Sequence, residues 1–375
     1  YSGISTPRIA RFNTDGTLDT LPNLGTGPNN TVRAITLGSG NEIYIGGDFT
    51  AVGTNLVNRI CRLSNTGNPN LTFISIVMGS GLDKGFNDSV RALTYYSGGL
   101  YIGGKFTKFK DSNRNRLVRL NSNGSEDTGL VINDGFTNVS NDSLTVINTI
   151  LVRTITVLGL PSTRLFIGGL FSKYKTTTEC NNIVKLQTNG TLDVDFNQGI
   201  AGSGTNGVVN KIIGTDSNNL VIGGEFTTFD SVASRNIVLS QNDGFIVPAN
   251  VFDDGFDLGG QVKDIIENGD NFVVGGDMIG YQGLNCGNLV TIDKSSGSLV
   301  DDFKVNNTIN ALSLNGSDVI AVGEFTNYTT TSGNPNGSFL TIPLAEDINI
   351  IEGFNSNTDN QIRYIENSNT SGFTI

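Results

Sequence analysis

The sequence predicts an all-β protein: a seven-bladed β-propeller of four-stranded blades, with the last blade shared between the two ends of the chain. Three observations predict it. A glycine-bearing phrase recurs six times, a basic-apolar strand recurs at a mean period of 55 residues, and a further short strand recurs seven times, always in the same order. Units of four short strands at a period of roughly 50 to 60 residues are the pattern of a propeller, which removes its sheet edges by radial repetition.

Each unit opens with the innermost strand, "VRAIT" at 32, "VRALT" at 90 and "VRTIT" at 152, with relatives starting at Val209, Val262, Ile309 and Ile362. The glycine phrase follows as the second strand. It reads "IYIGGDFTAV" at 43–52, "LYIGGKFTKF" at 100–109, "LFIGGLFSKY" at 165–174 and "LVIGGEFTTF" at 220–229, with worn copies at 272–281 and 319–328. Apolar runs such as "LFI" and "FVV" lack alternation, as expected of a strand covered on both faces. Two adjacent glycines weaken a strand, so they mark a bulge or a close backbone approach. A phosphate-cradling loop would open a helix, and no helix-period stretch follows or is found elsewhere in the chain.

The third strand is basic and apolar: "RIARF" from Arg8, "RICRL" from Arg59, "RLVRL" from Arg116 and "NIVKL" from Asn182, then weaker forms from Asn236, Asn288 and Ser338. Eight or nine residues after each of the first six anchors stands a turn glycine, as in Asn123-Gly124 and Asp243-Gly244. Asn-Gly and Asp-Gly pairs are the strongest hairpin signals. A short outer strand then ends the unit, as in "TLDVDF" at 191–196.

The ends of the chain complement each other. Tyr1 falls in the loop after a glycine phrase, and Ile375 falls where Gly103 stands in the second unit. The C-terminus is therefore expected to give two inner strands, and the N-terminus two outer ones, to one blade. Residues 1–375 form a single propeller domain on this reading, expected to be a module of a longer chain.

Acidic residues number 35 against 24 lysines and arginines, a net charge of −11, which removes the electrostatic basis for binding nucleic acid or anionic lipid. No apolar run approaches the roughly 18 residues of a membrane span, so no membrane insertion is expected. The chain has no histidine, and so lacks the usual general base near neutral pH and the commonest metal ligand. Cys61, Cys180 and Cys286 are odd in number and widely spaced, and read as isolated packed thiols rather than a metal or disulfide framework. No cofactor or metal is expected.

The grammar "IGGxFT", "RLxRLNxDGxLDxxF" and "VxAI" resembles the delta-60 repeat β-propeller family over essentially the whole chain. The resemblance implies a propeller of the kind found in large bacterial surface or secreted proteins and in phage virion proteins. It carries no single activity. The fifth to seventh units depart from it, losing the third-strand arginines and one glycine of the pair.

Propeller ligands usually sit at the mouth of the central channel, and two polar rings are candidates there. On the inner strand they include Arg33, Arg91, Arg153, Lys263 and Arg363, with Asn210 and Asn310 at the same rank. After the glycine pair stand Asp48, Lys105, Leu170, Glu225, Asp277 and Glu324. The two positions are diagonal neighbours in a hairpin. Arg33 with Asp48 and Lys263 with Asp277 then neutralise each other, whereas Arg91 opposite Lys105 is the one hint of an external anion. A third ring is aromatic, Tyr1, Phe109, Tyr174, Phe229, Tyr281 and Tyr328, suited to packing between blades or to stacking on sugars. The third unit is the longest, and its excess at 131–150 reads as a connection between blades, where binding specificity tends to reside.

The expected function is that of a non-catalytic scaffold or receptor-binding head in a phage tail or host-attachment apparatus, located on a virion or extracellular surface. Its partners would be other virion or surface proteins and a host glycan or protein receptor. The alternatives are a bacterial lectin-like adhesin and a polysaccharide-acting enzyme, which would need two carboxylates roughly 5 to 10 Å apart in one groove.

Overall fold

A computed structural model describes residues 8–13, 19, 26–81, 84–175, 178–194, 196, 203–248, 250–315, 318–325, 328–329, 339–342, 366–368 and 372–374. The chain is all-β, built from a series of small antiparallel sheets. The first comprises Val32–Leu37, Ile43–Gly47 and Ile60–Leu63, and the second Val90–Tyr96, Gly99–Gly104 and Leu117–Asn121. The third contains Val146–Val157, Leu160–Leu170 and Ile183–Gln187, and the fourth Val208–Gly214, Asn219–Glu225 and Ile237–Gln241. Gln261–Asn268, Asn271–Asp277 and Leu289–Asp293 form the fifth, and Ile309–Asn315, Asp318–Gly323 and Phe339–Ile342 the sixth. A further sheet joins the two ends of the chain: Arg11–Phe12 pairs with Gly372–Thr374, which pairs with Glu366–Ser368.

In each of the first six sheets the glycine phrase or its worn copy is the middle strand. Leu165, Phe166 and Ile167 of the third sheet are fully buried, because sheets cover them from both sides. Side chains between adjacent sheets make the core. Phe136, Phe171 and Tyr174, for example, meet with ring centroids 4.8 and 4.9 Å apart.

The glycine pair serves two separate close approaches. A Cβ on Gly103 would lie 2.5 Å from Ile147 Cγ2 on the inner strand of the next sheet. A Cβ on Gly104 would lie 2.1 Å from the Ser89 carbonyl oxygen of its own sheet. The second clash arises at a β-bulge, since the ladder pairs Val90 with Gly104 and Ala92 with Gly103, and skips Arg91. The same two obstacles recur at Gly46-Gly47, Gly168-Gly169, Gly223-Gly224 and Gly275-Gly276. In the sixth sheet, Val322 takes the place of the first glycine, and Gly323 keeps the approach to Thr308 O.

The anchor of the third strand does a different job from the one its charge suggests. Arg8, Arg59, Arg116, Asn182 and Asn236 all have positive φ, between 62° and 73°. Each later anchor reaches the connection that leads into the next sheet: Arg116 to Asp142 O at 2.8 Å, Asn182 to Thr205 O at 2.9 Å and Asn236 to Gly260 O at 2.8 Å. Asparagine replaces arginine readily here because it tolerates left-handed backbone and still donates to a carbonyl. The second basic residue of the strand pairs with the aspartate eight residues later, Arg11 with Asp19 at 2.6 Å and Arg119 with Asp127. Lys185 and Asp193 repeat that pairing at 3.5 Å.

Two expectations are corrected. Among the described residues, the outer fourth strand is complete only in the fifth sheet, where Leu299–Val305 pairs with Leu289–Asp293. In the first four sheets it shrinks to one bridge each: Leu63 with Pro69, Leu120 with Glu126, Leu186 with Leu192, and Ser240 with Ile246. A turn glycine precedes each bridge, and the chain then leaves for the next sheet. The chain also contains a helix, Leu71–Met78, where an outer strand was expected. Its β-branched residues read as strand, but Asn70 caps it, accepting from Phe73 N at 2.9 Å. Phe73 and Val77 are buried, with Phe73 packed edge-on to Tyr44 at 5.7 Å.

Candidate functional site

The bulges place one residue per sheet outside the ladder, and an extra residue at a bulge has its side chain re-aimed. The skipped residues are Arg33, Arg91, Asn148, Asn210, Lys263 and Asn310. All six line one open cavity of about 200 Å³, together with Gln261. They also reach from sheet to sheet. Asn148 donates to Val209 O at 3.2 Å, Asn210 to Val262 O at 2.9 Å, and Lys263 Nζ to Asn310 Oδ1 at 2.9 Å.

Arg33 pairs with Asp48 as the sequence predicted, through Nε at 2.8 Å and Nη2 at 2.6 Å. Burial opposes the Asp48 carboxylate, but the hydrogen bond and charge of Arg33, with the charge of Arg91, hold its carboxyl below the usual range. The other residues after the glycine pair take part in closing the bulges through their backbones, Lys105 N donating to Ser89 O and Glu324 N to Thr308 O, both at 2.9 Å. Glu225 and Asp277 line a second cavity of about 340 Å³, with Gln261 on the boundary of the two.

Arg153 does not belong to the inner ring. It pairs with Arg164 at the far end of its strand, and its guanidinium donates to Asn219 O at 2.5 Å and Thr215 O at 2.6 Å in the next sheet. The third-sheet member of the ring is Asn148. The likeness of "VRTIT" to "VRAIT" misleads because the hairpin beyond Arg153 and Arg164 is longer than its counterpart. The usable signal is "VINTI" at 146–150, which matches "VVNKI" at 208–212 and "TINAL" at 308–312. The excess of the third unit is accordingly split. Part lies in 137–145, which leads into Asn148, and part in the extended hairpin at 154–163.

Phe109, Tyr174, Phe229 and Tyr281 are buried to 1% exposure or less and present no ring face to a ligand. Burial pushes the Tyr174 and Tyr281 hydroxyls far above their ordinary pKa, and both donate to turn carbonyls, Gly190 O at 2.5 Å and Gly297 O at 2.8 Å. Tyr1, Arg363 and the side chain of Tyr328 lie outside the described residues. All three cysteines are buried and in no disulfide, and burial pushes the Cys61 and Cys180 thiols up to about 12.

Four segments, 1–21, 41–73, 97–129 and 164–196, match the sequence model "Domain of unknown function (DUF5122) beta-propeller". These are β-propeller repeats. No curated protein matches the sequence significantly. Among solved structures, the extracellular domain of the putative one component system BT4673 from B. thetaiotaomicron is 15% identical with a TM-score of 0.45, over 88% of this chain and 35% of that one. Sqt1 from Saccharomyces cerevisiae is 12% identical with a TM-score of 0.40, over 89% and 91% of the two chains. The chain thus spans about a third of the length of the first.

Proposed function

We propose that the chain is a closed seven-bladed propeller, its last blade shared by the two ends of the chain, and that it acts as a non-catalytic, receptor-binding module of a virion or extracellular surface. Closure is supported by the order of the inner strands: each adjoins the next from Val32–Leu37 round to Glu366–Ser368, which adjoins Val32–Leu37 again. The pairing of Arg11–Phe12 with Gly372–Thr374 supports the shared blade. The observation that carries the functional reading is the cavity itself, into which six sheets each aim one polar bulge residue. The surface or virion setting rests on the resemblance of the repeats to the delta-60 family.

Cryo-electron microscopy of the native assembly tests this. The expected result is a protein interface on the chain of more than about 1,000 Å² that leaves the cavity mouth open to solvent. Another protein packed over the mouth would make the chain a scaffold and overturn the receptor-binding reading.

Glu225 and Asp277 on one cavity favour the polysaccharide-acting alternative, since such chemistry needs two carboxylates across a groove. Incubation with neutral and acidic polysaccharides is expected to release no reducing ends. Release that disappears in Glu225→Gln would establish an enzyme.

A further inference from the structure

Two apolar surfaces of the chain stand at opposite ends of its strands. The first is the tip of the stretched hairpin in the third sheet. Residues 154–163 carry no charge on a chain of net charge −11, and Leu158 at the turn is 99% exposed, with Leu160 at 69%. The equivalent turn of the second sheet is Ser97-Gly98, in the same left-handed conformation. That conformation is uncommon for leucine, and such turns favour asparagine, aspartate or glycine, so Leu158 serves neither the turn nor the core. Leu158 lies ten residues past the bulge residue Asn148, whereas Ser97 lies six past Arg91, so the ribbon reaches about 13 Å farther. It is held firm underneath, since Ile155 and Val157 pack on the cluster shared by the third and fourth sheets. Its outer edge does not recruit a strand: 160–163 run beyond the last pair, Arg164 with Gln187, and Pro161 has no N–H to give there. The tip therefore offers two leucine side chains and the turn N–H groups of Leu158 and Gly159, which donate to no described residue.

The second surface is the cavity of about 340 Å³ between the fourth and fifth sheets, at the other end of the middle strands, where Glu225 and Asp277 follow the glycine pairs. Its lining includes Phe226 and Leu258, the latter 64% exposed. Ile279, 56% exposed, stands beside Gly259 of the lining, where a Cβ would lie 3.7 Å from Ile279 Cδ1. Neither the Glu225 nor the Asp277 carboxylate has a side-chain partner among the described residues. Apolar groups on each surface thus await apolar cover, and free N–H donors on one match free carboxylate acceptors on the other.

We infer that the hairpin tip of one copy seats in this cavity of a second copy, Leu158 and Leu160 against Leu258 and Ile279, with the turn N–H groups toward Glu225 and Asp277. The two surfaces differ and lie at opposite ends of the strands, so the contact is head-to-tail and propagates as an open stack rather than closing in a dimer. The inference goes beyond the receptor-binding reading and does not rest on it. A stack always has a terminal copy with no neighbour above its inner cavity.

Sedimentation velocity of the whole chain tests it, at an ionic strength of about 0.15 M, where repulsion between acidic copies is screened beyond about 8 Å. The sedimentation coefficient of the wild type should rise between roughly 10 and 500 µM, as expected of a small, weak interface. Leu158→Asp combined with Leu160→Asp should abolish the rise, and so should Ile279→Asp, since each buried apolar side chain is worth about tenfold or more in affinity. All three residues are exposed, so the circular dichroism spectrum should not change. If the Ile279 variant fails to fold, Leu258→Asp takes its place. Mixing the tip variant with the cavity variant is decisive: one keeps a working cavity and the other a working tip, so a one-to-one pair and nothing larger should form. A wild type that stays monomeric throughout, a tip variant that still associates, or a mixture that gives no pair would overturn the inference. Wild-type binding to phosphatidylcholine vesicles without self-association would also overturn it, and would assign the tip to a lipid surface.

Discussion

The second and third sheets are built from the same phrases and differ in nearly every surface feature. Both have a glycine pair under a bulge, Gly103-Gly104 and Gly168-Gly169, and in both a Cβ on the second glycine would lie against a carbonyl oxygen, at 2.1 and 2.0 Å. Yet the bulge residue is Arg91 in one and Asn148 in the other, and the anchor is Arg116 in one and Asn182 in the other. The hairpin turn is Ser97-Gly98 in the second sheet, and in the third it is stretched to 154–163, where Leu158 is 99% exposed. The difference teaches that backbone approaches between sheets dictate the repeat, while residues facing the cavity or solvent are free to vary with function.

That division is open to test, beginning with the shared glycines. Gly104→Ala and Gly169→Ala should each destabilise by about 3 kcal/mol or more, because the new methyl meets backbone that cannot give way. Urea denaturation reads the effect. Gly159→Ala at the stretched turn has nothing within 4 Å and only a φ of +80° against it, so about 1 kcal/mol is expected. Equal losses at Gly104 and Gly159 would break the comparison.

The anchors come next. Arg116→Ala should cost about 2 to 3 kcal/mol, since it strands carbonyls that the guanidinium satisfies. Arg116→Asn should recover part of that, because the third sheet already uses asparagine in the same left-handed conformation. If alanine and asparagine behave alike in thermal unfolding, the tie between sheets is not what the anchor supplies.

Smaller effects are expected in the third sheet's additions. Replacing 154–163 by Ser-Gly keeps Arg153 and Arg164 opposite each other and should change stability by less than about 1 kcal/mol. Least affected is Cys180, whose buried thiol, pushed up to about 12, should resist iodoacetamide at pH 8 until the chain is unfolded. Mass spectrometry of intact protein reads the modification, and rapid labelling of folded protein would mean that the edge of this sheet opens.

The repeat, its strand order and the structural meaning of the glycines were legible in the sequence, because each unit must solve the same steric problem and spells the solution in the same letters. So was the Arg33–Asp48 pair, since both residues flank features visible in the text. Arg153 was misplaced because local likeness carries no register: eight extra hairpin residues moved a familiar string to the wrong end of its strand. The helix at Leu71–Met78 was missed because β-branched residues satisfy either structure, and a cap at Asn70 and a pocket beside Tyr44 decided between them. The aromatic ring was recognisable from its spacing, but only packing between sheets showed that its rings are covered.

The sequence by itself determined the spacing of the units and the backbone approaches, which depend on residue size at fixed intervals. Only the tertiary structure decided which side chains share the cavity. That follows from where each bulge skips a residue and from the placing of six sheets about one space, and neither is a property of any local string.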